Sequence, residues 1–227
     1  MKKEDAEIKD KNILIDNGLL IYENMNMNKI PKISNELNSQ YGLDLIFFNM
    51  ISGMSITNEL ICNSNILFSK IKNNDEEVKI FNTYSFTKLQ KLNEYIVYDL
   101  KKYADEIISV MWLLKQDKYV EDIAINSIGK YLSNNKSKDY NYDEYNEYLK
   151  FFQKLNDIEN AYKHSYTNDA VLYNIGVEKN YIVVYYSKHG KKIKNPSTIS
   201  IELDSLINMF NDFYNYSFKL IESLSNK

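Results

Sequence analysis

TKLQKLNEYIVYDLKKYADEIISVMWLL, Thr87 to Leu114, is the stretch on which the fold of this chain turns. Thr87-Lys88-Leu89-Gln90 has the form of a capping box, a threonine that can accept from a backbone N–H and a glutamine three residues on that can reach back. Behind it come Leu89, Leu92, Ile96, Leu100, Tyr103, Ile107, Met111 and Leu114, always three or four apart. That is the period of a single helix face, so the stretch predicts a long amphipathic helix with one side against a core. Such a length suits a helical bundle.

The neighbouring segments read the same way. From Leu43 to Ile71 apolar residues recur at helical spacing, with a break expected at Gly53. A shorter helix is expected from Tyr119 to Leu132, then a loop over the Asn-, Lys- and Ser-rich residues Ser133 to Tyr140. The next helix starts near Tyr142, with Tyr148, Leu149, Phe152, Leu155, Ile158 and Tyr162 on its buried side. A last amphipathic helix carries Leu203, Leu206, Ile207, Phe210, Phe213, Tyr214, Phe218, Ile221 and Leu224.

Two places break the helical period. Val171 to Val177 and Tyr181 to Tyr186 are β-branched and aromatic, and Glu178-Lys179-Asn180 between them reads as a hairpin turn. Ile13-Leu14-Ile15 and Leu19 to Tyr22, around Asp16-Asn17-Gly18, read as a second hairpin. The expected architecture is mainly α: a helical bundle with a small β-hairpin insertion, about 170–200, before the C-terminal helix. Residues 1–11 form a charged arm and 12–227 a single domain.

Composition narrows the function classes. Six glycines and two prolines in 227 residues favour long helices over a many-turned β sandwich. A net charge of −3 gives no global basic footprint for nucleic acid, although a local patch stays open. All 28 basic residues are lysines, which fits the codon use of an AT-rich genome. The single cysteine, Cys62, allows no intramolecular disulfide and no cysteine-rich zinc site, so a cytoplasmic setting is expected. The lysine- and acid-rich start is no signal peptide. Leu45 to Met54 spans about half a bilayer and reads as a buried helix, with no membrane role expected.

Chemistry concentrates in Glu159-Asn160-Ala161-Tyr162-Lys163-His164-Ser165-Tyr166, which holds one of two histidines. On a helix, Asn160 and His164 lie on one face, with Asp157 and Gln153 continuing the row; Glu159 and Lys163 form an i, i+4 pair. One reading is a solvated helix face. The other uses the imidazole, which gives and takes protons near neutrality. Metal-free RNA cleavage needs such a group beside a 2′-hydroxyl or leaving oxygen, and a cation to hold the phosphate.

This octapeptide resembles the signature of the HEPN superfamily, an arginine followed by four to six residues and a histidine near a helix end, in a subset continued by any residue and a tyrosine. The resemblance implies a helical bundle, often a homodimer with two signatures at its interface, and in many members a metal-independent ribonuclease serving as a toxin or in phage defence. It implies His164 as general acid/base with Asn160 as a polar orienting neighbour. Tyr166 would be a modification site for a partner nucleotidyltransferase acting as antitoxin. The departure is at the arginine: Glu159 stands there, with Asp157 and Ile158 at the alternative spacings. A carboxylate repels a phosphate, by about 1 kcal/mol at 4 Å in bulk water and several-fold more where water is excluded. Lys163, beside His164, Lys154, or a lysine from a second subunit is the candidate replacement cation, a point charge in place of a bidentate fork.

The remaining candidates carry less. His189 sits among Lys188, Lys191, Lys192 and Lys194, either a phosphate-touching tip or a charged hairpin end. Tyr140, Tyr142, Tyr145 and Tyr148 could stack bases or pack inside the bundle. Asp75-Glu76-Glu77 reads as a solvated loop and Cys62 as a small buried apolar residue. No metal site and no cofactor is expected. Two functions stay open: a HEPN-like ribonuclease, with RNA as substrate, or a non-catalytic helical binding or regulatory module acting through protein–protein association.

Overall fold

A computed structural model describes residues 30–73, 83–116, 119–137, 143–164, 178–186 and 197–225. Among them the chain is mainly α-helical, with a two-stranded antiparallel hairpin before the C-terminal helix, as the periodicity predicts. The helices are α1 (Asn35–Tyr41), α2 (Leu43–Asn73), α3 (Thr83–Leu114), α4 (Ile128–Ser137), α5 (Leu149–His164) and α6 (Leu203–Ser225); the strands are β1 (Tyr181–Tyr186) and β2 (Ser197–Glu202). A 3-10 turn, Asn146–Tyr148, leads into α5. The described residues fall into two compact units, one drawn from Ile56–Val97 and Ile158–Asn208, the other from Tyr22–Ser55, Tyr98–Asp157 and Met209–Lys227.

Helix α3 begins at Thr83, four residues before the capping box, and Thr87 lies exposed inside it. Its predicted face is buried at Leu89, Ile96, Leu100, Tyr103, Ile107 and Met111. Helix α2 runs through Gly53 without the expected break. There a Cβ would lie 2.7 Å from the Tyr103 hydroxyl, so the glycine serves close approach and not helix termination. Residues 35–41, unassigned from sequence, form α1. Ser34 caps it by accepting from Leu37 N–H at 3.4 Å, and Gly42 ends it at φ 62°.

The expected helix from Tyr119 to Leu132 is corrected: only Ile128 onward is helical, and the helix continues to Ser137 through the predicted loop. Tertiary contacts outweigh the periodicity there. Tyr119 stacks on Tyr41 at 5.6 Å and Val120 N–H donates to the Tyr41 hydroxyl. The helix start is set at residue 128 instead, where Asp105 Oδ1 accepts from Ile128 N–H at 2.8 Å and Ser127 Oγ from Lys130 N–H at 3.2 Å.

The hairpin partner is also corrected. Tyr181–Tyr186 pairs with Ser197–Glu202, Ile182 opposite Ile201 and Val184 opposite Ile199, with Ile182, Val184 and Ile201 buried on one face. The stretch Val171–Val177, expected as its partner, lies outside the described residues, as do the 13–22 hairpin, Asp75-Glu76-Glu77 and the His189 segment. Leu203 N–H closes onto Asn180 O at 2.9 Å, so β2 runs directly into α6.

In the second unit the core is aromatic. Tyr145, Phe152 and Phe213 are nearly fully buried and meet edge-on or tilted at 5.1 to 5.9 Å, with Tyr131, Tyr148 and Phe151 around them. Burial pushes the Tyr131 phenol up to about 12 and the Tyr145 phenol higher still. Tyr145 and Tyr148 are thus core packing and no open platform for bases; Tyr140 and Tyr142 lie outside the described residues.

Candidate functional site

Helix α5 carries the histidine segment because Phe151, Phe152, Leu155, Ile158 and Ala161 give it a continuous buried side. Its last residue is His164, exposed, with Asn160 half-buried one turn earlier and Gln153 donating to Asp157 at 2.8 Å further back along the same row. Lys163 and His164 place basic groups in the last turn, where they complement the helix dipole.

Glu159 departs from the solvated-face reading. It is 5% exposed, and its carboxylate pairs with Lys163, whose side chain is half exposed. A buried carboxylate is costly unless a cation meets it, which explains why the lysine folds back along the helix. The structure therefore brings Glu159 and Lys163 together, while His164 faces solvent one residue on. Tyr166 lies outside the described residues.

Sequence reading missed a second polar centre, in the first unit. Ser64 Oγ donates to Asn93 Oδ1 at 2.6 Å, Asn93 Nδ2 to Asn180 Oδ1 at 3.1 Å, and Asn180 Nδ2 to Ser64 Oγ at 2.8 Å and Asn65 Oδ1 at 3.2 Å. Ser64, Asn93 and Asn180 are buried, so the network holds the entry to β1 on α2 and α3 through satisfied polar groups. Two ion pairs lie nearby: Lys72 with Glu178 at 2.5 Å, and Lys179 with Glu202 at 2.8 Å. The signal in sequence was faint. Asn93 sits one residue from Leu92 in the helix stripe, and Asn180 reads from sequence as a turn residue.

Cys62 is half-buried, and burial holds its thiol above the ordinary value, which makes it a poor nucleophile. Among the described residues no group of three or more His, Cys, Asp or Glu side chains could hold a metal. Helix α2 is the one described helix long and apolar enough to cross a membrane; 28% of its most apolar window is buried. The expectation that Leu45 to Met54 is buried holds for Phe47, Met50 and Met54 but not for Leu45 (63% exposed) and Phe48 (48%). No family model, no curated protein and no solved structure matches this chain.

Proposed function

We propose that this chain is a HEPN-like helical protein of the cytoplasm that works by association, as a homodimeric binding or regulatory module, and not by cutting RNA. One observation carries the reading. The position that a HEPN ribonuclease gives to arginine holds a buried acid, Glu159, and the adjacent Lys163 is drawn onto it. A scissile phosphate near His164 would meet a helix end whose nearest lysine already serves a carboxylate, so Lys163 is not free to give the charge stabilisation that metal-free cleavage needs.

The outward face of α2 supplies the association surface. Leu45 and Phe48 are exposed there, and the small, exposed Ser52 follows one turn later. Two such helices pairing antiparallel about a two-fold axis near residue 50 set Phe48 of one copy over the small Ser52 of the other, a self-complementary contact. Light scattering on the purified protein checks this. The parent should run as a dimer and Phe48→Glu as a folded monomer; a parent that is monomeric at every concentration tried sinks the proposal.

A second reading keeps the ribonuclease, on the observation that His164 is exposed with Asn160 one turn before it. Labelled total RNA in EDTA, with the parent and a His164→Ala variant, separates the two. Cleavage by the parent alone makes His164 the acid/base and sends the search to a cation other than Lys163. Intact RNA with both leaves the association reading standing.

A further inference from the structure

The first unit contains a pocket of about 260 Å³, room for roughly eight or nine waters or one small organic molecule. Asn65, Phe68, Ser69 and Lys72 of α2 form one side; Glu178 to Asn180, Glu202 and Asp204 form the other. Its hydrogen-bond inventory is lopsided. Asn180 Nδ2 is spent on Ser64 and Asn65, Lys72 on the Glu178 carboxylate and carbonyl, and Lys179 on both oxygens of Glu202. Both lysines are bound to carboxylates, and one lining carboxylate has no such partner.

That carboxylate is Asp204, in the first turn of α6, half-buried and with no hydrogen bond or ion pair among the described residues. Burial first, and Glu202 second, hold its carboxyl above the usual value, against a smaller opposing pull from Lys179. Three carboxylates against two ammoniums leave the lining one negative charge in excess. An anion would find both lysines taken. A metal ion finds no set of three ligating His, Cys, Asp or Glu side chains among the described residues. Phe68 adds an apolar wall suited to a carbon chain.

We propose that this pocket binds a small organic ammonium ion, which donates its N–H groups to Asp204 and Glu202 and lays its carbon chain against Phe68. Glu202 can take part while bound to Lys179, because a carboxylate offers about four acceptor directions.

Calorimetric titration of the full chain with putrescine at pH 7 and low salt tests this, with magnesium chloride and inorganic phosphate as comparison titrants. The parent should bind putrescine saturably at one site. Asp204→Asn, which keeps the side-chain shape, should weaken it at least about tenfold. Ser69→Leu, which fills the cavity without touching a charge, should abolish it, and it decides the matter should the first variant misfold. Absence of binding by the parent, equal affinity in Asp204→Asn, or equal response to magnesium or phosphate would each overturn the proposal.

Discussion

The aromatic core around Tyr145 and the asparagine network around Asn180 solve the same problem with opposite chemistry. Around Tyr145, rings fill space, and Phe213 touches Phe152, Tyr145, Tyr148 and Phe151 at centroid distances of 5.1 to 5.7 Å. Its strength is buried area, which is non-directional and tolerant of small shifts. Around Asn180, amides and a hydroxyl are closed into a ring of hydrogen bonds, where each partner must sit at one distance and angle. The first arrangement maximises stability. The second costs desolvation but fixes the position of a loop, and it lies beside Asp204, a carboxylate with no hydrogen bond or ion pair among the described residues. Polar interiors, on this comparison, mark where a fold gives up stability for a defined surface.

Substitutions should separate the two regions clearly. Phe213→Ala has the largest expected effect, a loss of about 3–5 kcal/mol in urea unfolding, because a fully buried ring leaves a cavity. A loss under 1 kcal/mol would mean that the aromatic core repacks freely. Asn180→Ala should cost less, about 1–3 kcal/mol, since Asn93 Nδ2 in the interior and the half-buried Asn65 Oδ1 each lose a hydrogen-bond partner. A cost equal to that of Phe213→Ala would erase the distinction drawn above.

Acidity gives a finer test. Asp204 has a folded-state pKa above its unfolded value, so its ionisation works against folding as pH rises through that window. Asp204→Asn should therefore raise the urea midpoint at pH 7, and the gain should vanish below about pH 4, where the unfolded carboxyl is also protonated. A gain that persists at pH 3 would assign the effect to something other than charge. Smallest of all, Lys72→Ala should leave the unfolding midpoint unchanged, because its partner Glu178 is fully exposed. A measurable loss would mean that the ion pair helps to hold the pocket's rim.

Much of the fold was legible in advance for a physical reason. The i, i+3, i+4 rows of α3 and α6 are set by the pitch of a helix and need no partner to be read, and both helices form where the rows lie. Where a local pattern competed with a specific contact, the contact decided. Tyr119 to Ser127 has helical spacing, yet stacking on Tyr41 and the cap from Asp105 delay the helix to Ile128. Gly53 reads as a breaker but is needed for Tyr103 to approach. Glu159 has the spacing of a surface pair, and burial makes it an interior one.

Periodicity, composition and the octapeptide ending at Tyr166 were enough to predict a mainly helical chain with a hairpin before its last helix, and to single out His164. Neither the partner of Tyr181–Tyr186, nor the meeting of Ser64, Asn93 and Asn180, nor the half-buried setting of Asp204 could be read that way. The polar network depends on residues 29 to 116 apart in sequence coming within hydrogen-bond reach. A one-dimensional pattern records which side of an element faces inward, but not which distant side chain it finds there.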